Sequence, residues 1–137
     1  MNIEFASLSN TEVNRTISLS DGTLDNQLAI SIIGNNNIKF DFIVDGVPQV
    51  SYTENVSDIT SLNRVKFSYR LGEFIIEVND LVVFTQFSGS VPEDGAFTQL
   101  KFSNPVGGDK FLGFTKELMF FSLITEDYLQ YKLEKGI

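Results

Sequence analysis

Alternation with period two runs through nearly the whole chain. The stretches NIEFASL, RTISLS, NQLAISII, NIKFDFIV, NRVKFSYR and EFIIEV each place every second apolar side chain on one face, as half-buried strands do and helices do not. Turn signals separate the runs: Asp21-Gly22, Gly34 followed by Asn35 to Asn37, Asp45-Gly46, Leu71-Gly72, Asn79-Asp80, Asp94-Gly95 and Gly107-Gly108. Strands at such short, regular spacing predict an all-β fold, a β-sandwich or barrel, and argue against a parallel α/β sheet. The 137 residues suit one domain over 1–137, and 13 Phe with no Trp suit a β core. In VNDLVV, Asn79 and Asp80 tolerate the positive φ of a two-residue hairpin turn. The end of the chain changes character. Thr125 fits an N-cap, Glu126 and Asp127 a first turn, Leu129 and Leu133 one helical face, and Gly136 the stop. These predict one short C-terminal helix lying over the sandwich.

Composition then removes whole classes of chemistry. There is no Cys and no His, so disulfides, thiolate catalysis, histidine-activated serine and the usual zinc ligands are absent. A net charge of −8 repels phosphate backbones and anionic lipid, so nucleic acid is not an expected partner. No apolar run approaches the roughly 20 residues of a membrane helix, so membrane insertion is not expected. MNIEFASLSN lacks the basic and apolar regions of a signal peptide, and the sequons at Asn14 and Asn55 are read as chance matches. PVGGDK lacks the remainder of a phosphate-binding loop.

Three stretches, NRTISLSDGTLDNQLAI, NRVKFSYRLGEFIIEVNDLVVF and FLGFTKELMFFSLITEDYLQYKL, together resemble the concanavalin A-like lectin/glucanase jelly roll, nearest its laminin G-like and pentraxin-like branch. Val78-Asn79-Asp80 stands where that family has a Val-Asn-Gly hairpin. Gly113, Lys116, Leu118 and Phe121 match its late strand. Leu123, Thr125, Asp127 and Leu129 approximate the helix that follows, with Ile124 inserted. The texture of ISLSDGTLDN is similar to domains of bacteriophage virion proteins. The resemblance implies an all-β, antiparallel two-sheet β-sandwich of jelly-roll type, and a non-enzymatic virion structural protein (fibre, spike or decoration domain) on the virion surface. Other virion proteins and a host cell-surface glycan are its implied partners. An open sheet edge adds a homo-oligomer. The alternative is a bacterial carbohydrate-binding module or lectin-like adhesion domain, extracellular.

Candidate site residues follow from those readings. Catalysis of glycoside hydrolysis needs two carboxyls about 5–5.5 Å apart for retention. Glu73 and Glu77 share a strand face, but a four-residue step spans about 13 Å, so no catalytic residues are assigned. Carbohydrate binding would use the loop amides Asn35, Asn36 and Asn37 with the aromatic Tyr52, Phe84 and Phe87 being further candidates; the structural reading is a tight turn and core rings. No cofactor is required. The resemblance implies a rim Ca2+, for which SDGTLDN offers Asp21, Asp25 and Asn26 and SNPVGGD offers Asn104 and Asp109, provided the two loops meet; ordinary turn chemistry is the other reading. Arg64, Lys66 and Arg70 form a basic stripe, read as a solvated sheet face.

Overall fold

The computed structural model describes residues 1–11 and 13–120; the expected C-terminal helix lies outside them. Among the described residues ten strands occur: β1 (Asn2–Ser7), β2 (Arg15–Ser20), β3 (Gln27–Ile32), β4 (Asn37–Val44), β5 (Val47–Asn55), β6 (Asn63–Arg70), β7 (Glu73–Val78), β8 (Leu81–Gln86), β9 (Gln99–Lys101) and β10 (Gly113–Met119). They form two five-stranded sheets, ordered β10-β1-β6-β7-β8 and β5-β4-β3-β2-β9, with antiparallel pairing throughout. The fold is thus an all-β, antiparallel two-sheet sandwich. Among the described residues no helix is long and apolar enough to cross a membrane.

Alternation becomes layering. In β4, Ile38, Phe40, Phe42 and Val44 are buried while the intervening residues are only partly so. In β7, Phe74, Ile76 and Val78 point the same way. Phe42 is the hub between the sheets. Its ring lies 5.3 Å from Phe67, 4.8 Å from Tyr69 and 5.4 Å from Phe74, all on the opposite sheet, with Phe97 edge-on at 6.1 Å. Offset and edge contacts of this kind add to the area the rings bury.

The hairpins obey their turn residues. Asn79 and Asp80 sit at φ 51 and 68, and Asn35 and Asn36 at 52 and 58, the paired left-handed conformations of a type I′ turn. Gly113 meets a different demand. A Cβ there would fall 2.1 Å from the Ala6 carbonyl oxygen, so only glycine lets β10 close on β1.

Two departures from simple alternation have a physical cause. In β2 and β3 the polar positions are buried as well: Thr16, Ser18, Ser20, Gln27 and Ser31. The segment after β9 lies over this outer face, where Ser18 donates to the Ser103 carbonyl at 2.7 Å. Thr16 and Ser31 share a hydroxyl hydrogen bond of 2.8 Å. Small hydroxyl residues permit the close cover and keep their hydrogen bonds. β9 is limited to three paired residues, because Ser103 and Asn104 turn the chain away.

Candidate functional site

The Asn-rich tip joins β3 to β4, and its side chains are largely engaged. The Asn36 carboxamide oxygen accepts the Ile59 N–H at 3.0 Å, and the Asn36 N–H donates to Asn10 at 2.8 Å. Asn37 accepts from the Asn55 side chain at 3.0 Å, which also donates to the Asn35 carbonyl at 2.9 Å. Of the three, Asn35 has an exposed side chain with no hydrogen-bond partner among the described residues. Tyr52 stands apart from the tip. Asn37 pairs with Asn55 while Phe40 pairs with Tyr52, a three-residue offset of about 10 Å. Its half-buried ring closes the gap between the sheets, 4.9 Å from Phe84 and 6.5 Å from Phe40. Its hydroxyl donates to Glu54, and that bond, with burial and the carboxylate charge behind it, pushes the phenol up to about 12. The four expected sugar-binding residues therefore do not form one constellation. Phe87, by contrast, is largely exposed.

The two loops expected to share an ion lie at opposite ends of β2. Thr16 N–H donates to the Asp109 carbonyl at 2.7 Å, whereas Asp21 directly follows Ser20 at the far end; five residues of strand separate them by about 16 Å. Each loop also satisfies itself. Asp21 accepts from the Thr23 hydroxyl and amide and from Asn26, and the Thr23 bonds hold its carboxyl below the usual carboxylate range. Asn26 accepts the Asp45 N–H at 2.9 Å, and the Asp25 carbonyl accepts the Gly46 N–H. Asn104 accepts from Val106 and Gly108 and donates to Asp109 at 3.4 Å. Asp21, Asp25, Asn26, Asn104 and Asp109 do not fit a single Ca2+ site. The Asx-turn reading accounts for the Asp21–Thr23 and Asn104–Val106 bonds. Among the described residues no three acidic side chains come together as a group that could hold a metal ion.

The basic stripe proves to be half of a charge ladder on the outer face of β6 and β7. Lys66 faces Glu77 at 3.4 Å, and Arg64 sits between Asp80 at 3.2 Å and Glu4 at 3.8 Å. Arg70 grips Glu73, donating from Nε at 2.6 Å and from Nη2 to the same oxygen. Next to this last pair is an open groove of about 310 Å³, lined by Ser68, Tyr69, Arg70, Glu73 and Ile75. That size is at the lower end of small-molecule sites, roughly 300–1,000 Å³. The β6–β7 register builds it: Ser68 pairs with Ile75 and Arg70 with Glu73. Burial, with a smaller contribution from the charge of Asp94, pushes the Tyr69 phenol up to about 12, so it stays a neutral hydroxyl.

In the sequence Arg70 belongs to the basic stripe and Glu73 to the Glu73–Glu77 pair. The two-residue turn Leu71-Gly72, with Gly72 at φ 74, was the available signal. It makes residues 70 and 73 direct cross-strand partners.

No family model matches the chain, and no curated protein matches it. Solved structures similar to it include a native glycosidic hydrolase, at 17% identity and TM-score 0.55, over 66% of this chain and 45% of that one. They also include the carbohydrate-binding module CBM66 from Bacillus subtilis, at 15% identity and TM-score 0.49, over 72% and 63% of the two chains. A third is sheep galectin-11 in complex with glycerol, at 13% identity and TM-score 0.46, over 73% and 85%. This chain spans less than half of the glycosidic hydrolase. At such identities the likeness is one of fold alone, a β-sandwich.

Proposed function

We propose that the chain is a carbohydrate-binding β-sandwich domain that binds without cleaving, and that its ligand is a neutral saccharide held in the β6–β7 groove. The groove carries the reading. A sugar ring presents vicinal hydroxyls at its rim and C–H groups on its face. The groove offers a carboxylate and a guanidinium already held together, the Ser68 hydroxyl, and the apolar Ile75 beside them. An exposed ion pair contributes only about 0–1 kcal/mol to stability; its consequence here is to fix two hydrogen-bonding groups before a ligand arrives, which lowers the cost of binding. The net charge of −8 disfavours uronic and sialic acids.

Binding rather than hydrolysis follows from the company the acids keep. Glu73, Glu77 and Glu4 each face a cation on the sheet, which engages the carboxylate in an ion pair. The likeness to a glycosidic hydrolase supports the sandwich on which such a groove is built. An extracellular setting, and the finer placement on a phage particle, rest on the sequence resemblance.

A neutral-glycan array followed by calorimetry with a hit is the test. Arg70→Ala and Glu73→Gln each weaken binding by about 10- to 100-fold, the worth of a charge-assisted hydrogen bond, and Asn35→Ala leaves it unchanged. Silence across the array overturns the reading. Full affinity in both groove variants removes the groove, and release of shorter oligosaccharides overturns the absence of catalysis.

A further inference from the structure

The sandwich has four edge strands among the described residues, and three carry a device that discourages pairing with another chain. β5 contains Pro48 and Glu54; β9 is three residues long and ends in Lys101; β10 carries Lys116 and Glu117. β8, Leu81-Val82-Val83-Phe84-Thr85-Gln86, has no charged residue and no proline. Leu81 is 69% exposed, Val82 58% and the adjoining Phe87 76%.

Its bulge makes β8 self-complementary. Thr85 pairs with Ile75 and Val82 with Glu77, so both face outward, although three residues apart, because the register shifts between Ile76 and Glu77. Leu81 pairs with Val78 and Gln86 with Phe74, so both face inward. When two copies of β8 run antiparallel with Leu81 opposite Gln86, Val82 falls opposite Thr85. Every such cross-strand pair then joins residues of the same face. A shift of one residue sets inner side chains against outer ones.

Charge permits the same arrangement. A two-fold axis places the same surface on both sides, so any net charge beside the strand meets its like. The acids of the sheet nearest β8 are neutralised locally: Glu77 by Lys66 at 3.4 Å, and Asp80 by Arg64 at 3.2 Å.

We propose that β8 is a dimerisation edge, on which a second copy of this chain pairs antiparallel about a two-fold axis to make one continuous ten-stranded sheet. The occupant is a second copy because the strand matches itself in face and in charge.

Light scattering coupled to size exclusion is the first test. The chain elutes at twice its own mass when concentrated and dissociates as it is diluted. Val82→Lys with Thr85→Lys puts like charges opposite each other and yields a monomer with an unchanged circular dichroism spectrum. Val82→Lys with Thr85→Glu sets opposite charges across the seam and restores the dimer. The chain has no cysteine, which allows a second test independent of charge. Val82→Cys and Thr85→Cys chains, mixed and oxidised, form a disulfide-linked pair, and neither does so alone, since directly opposed positions lie within disulfide reach. A wild-type chain that is monomeric throughout, a double-lysine variant that remains dimeric, or cross-linking within one variant alone would each overturn the proposal.

Discussion

At residue 36 the backbone holds φ 58 while the side-chain carboxamide accepts the N–H of buried Ile59. An amide with that duty is committed to the fold. Removing it leaves the Ile59 N–H without its partner, a penalty of about 1–3 kcal/mol for a buried donor. Asn36→Gly keeps the left-handed backbone accessible, so the loss it shows in urea unfolding reports the side chain alone. The neighbour supplies the control. Asn35 sits at φ 52 with an exposed side chain, and Asn35→Gly changes stability by less than about 0.5 kcal/mol. Equal losses at both positions would assign the effect to the turn and not to the bond. The run of three asparagines announces a turn, because asparagine tolerates positive φ. It does not announce which amides are used, since the partners lie in residues 10 and 55–59 and reach the tip only through tertiary packing.

Tyr52 on β5 and Phe84 on β8 meet across the sandwich and close one of its sides. The Tyr52 hydroxyl is held by Glu54, and that bond keeps the phenol protonated up to about pH 12 instead of the usual 10. Between those values the unfolded chain releases a proton that the folded chain retains, so stability falls as pH rises through that window. Below it both states are protonated and the contribution is flat. Tyr52→Phe loses less stability than wild type between about pH 10 and 12 in urea titrations; an identical decline in both proteins would assign it to other groups, Tyr69 among them. At this scale the sequence is legible where a rule is local. Alternation places Phe40, Phe42, Phe74 and Ile76 inward, and the turn residues fix the hairpins. The pairing of Arg70 with Glu73 is legible in principle, by counting outward from Leu71-Gly72. The separation of the Asp21 and Asn104 loops is not, because it follows from β9 pairing antiparallel to β2, a contact between residues roughly eighty positions apart that no local pattern records.

For the whole molecule, the proposed groove and the proposed seam belong to one sheet. The groove lies on the outer face of β6 and β7, and β8 is the next strand and the last. A two-fold axis through paired β8 strands runs perpendicular to the sheet, so it leaves the two outer faces on the same side. A dimer of this kind presents two saccharide grooves to one surface. On a surface dense in the glycan, the second contact forms at a high effective concentration, and apparent affinity rises by about 10²–10⁴ with no new contact to the sugar. The monomeric Val82→Lys, Thr85→Lys chain therefore binds a soluble, monovalent oligosaccharide as wild type does in calorimetry, and leaves a glycan-coated sensor far faster. Arg70→Ala loses both kinds of binding while remaining dimeric. Equal dissociation of wild-type and double-lysine chains from the coated sensor, with the dimer itself verified, would mean that the grooves do not face one surface together.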